Sequence, residues 1–293
     1  MRFSSTQFDT TTAVIAVVIA MLSITAGASI AKSMFSTLSP ENVTVLRLSI
    51  SAIILFFGLK AWQVRLKRQE ILIVFIYGVA IAGMNLFFYL AIKTVPVAIA
   101  LAVELTGPLC VAVIFSQNRS DYLWVLFAAI GIYLLIPSSS SHSELELTGL
   151  FYALVAAFFW GMYILVGKEV GQCYGSKAPA LGLIFASLLV IPFGDSLPFA
   201  LMNTEVALLA LVIALLSSAV PLMLEMFALR KLPTNSYGVL TSGEPVVGTI
   251  VSFFILGEQL TIMQCFGIGI IVLASMGTLL SPSSSRKTVK ARQ

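Results

Sequence analysis

Residues 91–109, AIKTVPVAIALAVELTGPL, decide how the rest of the chain is read. A lysine and a proline join two apolar runs with almost no loop between them. A carboxylate, a glycine and a proline then follow inside the second run. Residues 228–246, ALRKLPTNSYGVLTSGEPV, echo the stretch at a single offset: Ala91 aligns with Ala228, Lys93 with Arg230, Pro96 with Pro233, and Pro108 with Pro245. Two prolines with the same spacing in both copies argue for two homologous halves.

Composition sets the solvent. Of 293 residues, 59% are hydrophobic and 10% charged, with mean hydropathy +1.02. Soluble domains carry about a quarter charged residues, so most of this chain belongs in lipid. Barrel strands would alternate in polarity, and these runs do not. The chain is read as an all-α polytopic membrane protein with ten spans, near 12–34, 43–61, 71–93, 95–116, 121–137, 148–170, 178–194, 204–229, 233–256 and 262–280. Each approaches the ~20 residues that a helix needs to cross a bilayer. The first run resembles a secretory signal, but it is longer than a signal core and only Arg2 precedes it as a cation. It is kept as span 1.

Charge sets orientation. Of the 17 Lys and Arg residues, all but Lys32, Arg47 and Lys93 fall on one set of alternating segments that includes both termini. By the positive-inside rule both termini are cytoplasmic. Five spans per half is odd, so the halves enter the membrane from opposite sides as inverted repeats. Their expected bounds are 1–141 and 142–281, followed by a basic cytoplasmic tail, 282–293. Inverted repeats rock about a site near the midplane to give alternating access. The net charge of +4 then reflects orientation, and no nucleic acid partner is expected.

Ionisable residues at depth are the candidate site. Glu104 lies about 12 Å below the outer surface, at 1.5 Å per residue from Pro96. Such a residue marks a pathway or a coupled proton, or else packs as a structural carboxyl. Asn85 is equally far from the hairpin turn, and an amide beside a carboxylate suits an ammonium group. Gly107, Pro108 and Pro245 predict helix breaks, since proline removes a donor and disfavours helix before it. Glu244, just ahead of Pro245, is a second candidate to carry a proton. Glu225 should lie level with the Tyr237 hydroxyl, as a gate or a structural pair. Lys32 and Arg47 near the outer ends are expected to snorkel to headgroups, with Lys32 the alternative partner for a substrate carboxylate. Trp160 and Tyr163 share a face of span 6, lining a cavity or packing. Lys93 and Arg230 suit helix C-termini.

Enzyme signatures fail. Ser29-Ile-Ala-Lys32 matches an acylation motif without its partner motifs, and the single histidine, His142, falls in a loop. Cys110, Cys173 and Cys265 lack metal-ligand spacing and are read as small packing residues. No metal and no cofactor is expected. The small residues Gly267, Gly269, Ala274 and Gly277 of span 10 would seat either a homodimer or, as the better reading, close packing within one chain.

Ten spans as five plus five resemble the drug/metabolite transporter superfamily, and within it the EamA family. The stretches ITAGASIAKSMF (24–35), TVLRLSISAIIL (44–55), GMNLFFYLAIKTVPVAIALAVELTGPL (83–109) and EMFALRKLPTNSYGVLTSGEPVVGTIVSFFILGEQLT (225–261) look like those of the family's bacterial exporters of threonine and homoserine. Many members carry Trp-Gly in both first spans, whereas here only Trp160-Gly161 does. The resemblance implies export of small amino acid zwitterions across a bacterial inner membrane, in exchange for protons. Spans 1–4 and 6–9 would surround a central cavity, with spans 5 and 10 supporting it. Glu104 and Asn85 would take the ammonium group and Lys32 the carboxylate, and Glu104 or Glu244 the proton. The alternatives on the same fold are an aromatic amino acid, a polyamine, a purine or a drug as substrate; a membrane-embedded enzyme is the remote one.

Overall fold

The computed structural model describes residues 3–114, 121–135, 143–194, 204–232, 237 and 240–280. His142, the expected turn at Pro233 and the tail 282–293 lie outside the described residues. What is described is helical: α1 Phe3–Ser33, α2 Pro40–Gly58, α3 Ile71–Ile92, α4 Val97–Glu104, α5 Thr106–Ile114, α6 Asp121–Leu135, α7 Ser143–Tyr174, α8 Ala178–Val190, α9 Thr204–Ala214, α10 Val220–Lys231, α11 Glu244–Leu256 and α12 Ile262–Leu280. Local signals set the ends. Ser39 caps α2 by accepting from Asn42 N at 3.3 Å, with Pro40 opening the helix. Gly257, at φ 68°, ends α11 in the left-handed region, which only glycine enters freely.

By length and composition, Thr11–Ser36, Pro40–Gly58, Ile71–Ile92, Leu147–Phe193 and Thr204–Glu225 can cross a membrane. Four shorter apolar helices, Val97–Val111, Tyr122–Leu135, Glu244–Leu256 and Ile262–Gly277, accompany them. The outside is apolar: Phe254 and Ile262 are each 78% exposed, and Phe57, Phe158, Phe266 and Leu273 also face outward. Thr25, Ser29, Thr44, Ser51, Asn85 and Glu104 are buried instead. Water would reverse this arrangement, and lipid accounts for it. The three cysteines correct their expected role. All are exposed rather than packed in the core; a thiol is apolar enough to face lipid where it falls within a span, as Cys110 and Cys265 do.

Packing is two-fold in character. Helix α3 lies along α7, and α1 lies along α10. Likewise α4 and α5 contact α7, while α11 contacts α1; α3 meets α8, and α9 meets α2. Exchanging the helices before residue 141 with those after it turns each pair into its counterpart. The pairs α2 with α8, α4 with α11 and α6 with α12 map onto themselves. Helices α6 and α12 pack closely because side chains are missing where they cross. A Cβ on Gly267 would lie 2.9 Å from the Gly131 carbonyl, and Gly277 abuts Trp124. Ala274 is fully buried, while Gly269 faces open space.

The breaks fall close to the prolines. Helix α4 ends at Glu104, Leu105 is a turn, and α5 starts at Thr106. The interruption therefore precedes Gly107 and Pro108, because Pro108 has no N–H for the carbonyl four residues back, that of Glu104. Gly107 is needed for packing: a Cβ there would strike the Ala157 carbonyl of α7. In the second copy a turn at Ser242-Gly243 precedes α11, and Pro245 sits in its first turn. A third interruption has no counterpart in the sequence reading. It is a π-helical segment, Leu215–Ala219, between α9 and α10.

Candidate functional site

Pro221 explains that segment and brings Arg47 into the site. Without an N–H, Pro221 offers no donor to the Ser217 carbonyl four residues back or the Leu216 carbonyl five back. Side chains from the other half supply the missing bonds. Ser23 Oγ donates to Leu216 O at 2.6 Å, and Arg47 Nη2 to Ser217 O at 2.7 Å. Arg47 Nε also donates to Ser218 Oγ at 3.1 Å, and Ser51 Oγ to Ala214 O at 3.2 Å. Gly27 lets α1 approach, since a Cβ would lie 2.7 Å from Ser217 Oγ. The Arg47 guanidinium lies over the Tyr89 ring, 5.2 Å from its centroid. The snorkelling expected of Arg47 is thus corrected: freed carbonyls inside the bundle draw it inward.

Carboxyls from both halves lie near this point. Glu104, the last residue of α4, is only 7% exposed. It lies within electrostatic reach of Glu244 on α11 and of Arg47. Glu244 lies in turn within electrostatic reach of Glu225 on α10, and Glu225 within reach of the Tyr237 hydroxyl. Among the described residues, the ion pairs are Lys32–Glu258 and Lys67–Glu70, so none joins Glu104 or Glu244 to a cation. Carboxyls this close and this far from water require protons or a cationic group among them. Asn85 is buried, with Nδ2 donating to Ile81 O at 2.8 Å on its own helix. Among the described residues it shares no hydrogen bond with Glu104.

Lys32 is engaged elsewhere. Its Nζ donates to Glu258 Oε1 at 2.6 Å and to Val95 O at 2.7 Å. The other carboxylate oxygen, Glu258 Oε2, accepts from Val97 N at 3.0 Å, an orphan donor at the start of α4. One ion pair thus ties the end of α1, the start of α4 and the turn after α11, closing one end of the bundle. Glu258 was not singled out in the sequence. The available signal was a carboxylate after Gly257, at the same expected outer level as Lys32. Trp160 and Tyr163 join different clusters. Trp160 packs against the core cluster that includes Tyr89 and Glu104's chain neighbours Val103 and Leu105, whereas Tyr163 stacks on Tyr77 at 5.3 Å and 20° in another.

Comparison with known proteins extends this geometry. The sequence profile described as the EamA-like transporter family matches residues 147–280. The threonine/homoserine exporter RhtA of Escherichia coli K12 is 40% identical over 94% of this chain and 93% of its own. Its namesake from Salmonella typhimurium LT2 is 39% identical over 92% and 91%. An uncharacterized transporter of Bacillus subtilis, YwfM, is 25% identical over 85% and 88%. One solved crystal structure, 17% identical, superposes with a TM-score of 0.62 over 91% of this chain and 97% of its own, which shows a shared fold.

Proposed function

The chain belongs to the EamA-like transporter family, and from that premise we propose that it exports threonine- or homoserine-like amino acids from the cytoplasm by alternating access, in exchange for protons. The observation that carries this reading is the site's charge: buried Glu104 facing Glu244 and Arg47 where the two sets of helices meet. A few charges of both signs suit a zwitterion. A phosphorylated substrate would call for clustered cations.

In this reading Glu104, with Asn85 nearby, receives the ammonium group, and Glu104 or Glu244 carries the coupled proton. Glu225 and Tyr237 act at the far side of the same cluster as a gate. Trp160 and Tyr163 line the path, and the breaks at Gly107, Pro108 and Pro245 let the helices flex there. The Lys32–Glu258 junction has to part for the closed end to open, so Lys32 serves there as a gate rather than as a free substrate ligand. The protein sits in the bacterial inner membrane with both termini in the cytoplasm. It needs neither metal nor cofactor, and it is not an enzyme.

The test is efflux of threonine and homoserine from loaded proteoliposomes, with and without an imposed proton gradient. Saturable efflux that responds to the gradient is expected. Saturable efflux indifferent to the gradient keeps the substrate and removes the proton. Absence of efflux from folded protein, or chemical turnover of either amino acid, overturns the reading.

A further inference from the structure

We propose that Arg47 and the Tyr89 hydroxyl form the carboxylate subsite of the transported amino acid, opposite Glu104, which takes the ammonium. This rests on the export of an amino acid proposed above. Three observations carry it.

Depth comes first. Arg47 lies seven residues into α2, Glu104 seven into α4, and Asn85 seven before the end of α3. All three helix ends lie at the Lys32 end of the bundle, so at 1.5 Å per residue these side chains share one level, about 10 Å in.

The second is the gap between opposite charges. Arg47 and Glu104 lie within electrostatic reach, yet among the described residues no ion pair joins them. Arg47 is held back by Ser217 O and Ser218 Oγ and by its stacking on Tyr89. Unlike charges kept apart in a low dielectric attract whatever bridges them. An α-amino acid carries one charge of each sign on adjacent atoms and so completes both ends. The guanidinium has five N–H donors, and the two described bonds leave the rest of its planar fork for a carboxylate.

The third is an orphan. Tyr89 is fully buried, and its hydroxyl has no hydrogen-bond partner; among the described residues only Ser29 Oγ shares that condition. Leaving such a group unpaired is costly. It lies on the ring that the guanidinium covers, where a carboxylate bound by Arg47 would accept its proton in a hydrogen bond. Phenylalanine would fill the same space without the cost, so packing alone does not account for tyrosine.

The experiment compares wild type with Tyr89→Phe in proteoliposome efflux, with 1-aminopropan-2-ol (threonine without its carboxylate) as a competitor. The expected result is a KM for threonine raised about tenfold, the size of one hydrogen bond to a charged group, with inhibition by the amine unchanged. Thermal stability of Tyr89→Phe should match or exceed wild type. Arg47→Lys, which keeps the charge and loses the fork, should raise the KM further and lessen the preference for threonine over the amine. An unchanged KM in Tyr89→Phe overturns the proposal, as does an equal loss for threonine and the amine. Wild-type protein that moves neither amino acid overturns the export reading, and the subsite with it.

Discussion

At the scale of single residues, Glu104 is a buried carboxyl with neither an ion pair nor a hydrogen bond among the described residues. Lys32, by comparison, is held by two partners, Glu258 Oε1 and the Val95 carbonyl. A group so isolated from water is kept for what it binds. Replacing Glu104 with Gln preserves shape and removes the titratable proton. Efflux should then slow by at least about tenfold, roughly 1.4 kcal/mol of lost stabilisation, and should cease to respond to an imposed proton gradient. Flux from Glu104→Gln vesicles that tracks the gradient as wild type does would remove Glu104 from proton coupling.

At the scale of elements, the helices are interrupted where proline withdraws a donor, and one interruption, Leu215–Ala219, is satisfied from across the interface. The segment Leu215–Ala219 is held by Ser23, Arg47 and Ser51, so α9 and α10 keep their bend only while α1 and α2 lie beside them. Close approach matters equally. Gly107 lets α5 meet the backbone of α7 at Ala157, whereas Gly171 in α7 has nothing within 4 Å of an added Cβ. Gly107→Ala should cost about 1–3 kcal/mol through overpacking. Gly171→Ala should gain roughly 0.5–1 kcal/mol from reduced backbone freedom. Thermal unfolding in detergent distinguishes them: a lowered midpoint for the first and an unchanged or raised one for the second. Equal midpoints would show that the α5–α7 contact is looser than described.

At the scale of the whole molecule, the apolar outside, the polar inside and the swapped packing pairs describe a membrane bundle of two sets of helices packed in matching pairs. The proposed orientation, with both termini in the cytoplasm, rests on the loop charges, and Cys173 offers a direct check. It is exposed at the end of α7, two residues before Gly175 and close to Lys177. With cytoplasmic termini, that end also faces the cytoplasm. A membrane-impermeant maleimide should leave Cys173 unmodified in intact cells and label it after permeabilisation, in a variant with Cys110 and Cys265 changed to serine. Labelling in intact cells would reverse the topology.

Much of the architecture was legible in the sequence because lipid imposes one rule on every span: about twenty apolar residues, helical, with the backbone satisfied internally. The all-helical membrane fold and the burial of Glu104 within an apolar run follow from that rule and from counting along the chain. Counting fails where contacts join distant segments. Lys32 meets Glu258 across 226 positions, and Arg47 meets Ser217 across 170. Nothing local distinguishes a cation that reaches headgroups from one that reaches a carbonyl freed by Pro221. Sequence placed the charges within apolar runs; the tertiary structure decided their partners, because an orphan donor or acceptor is satisfied by whichever group the packing of other helices brings within about 3 Å.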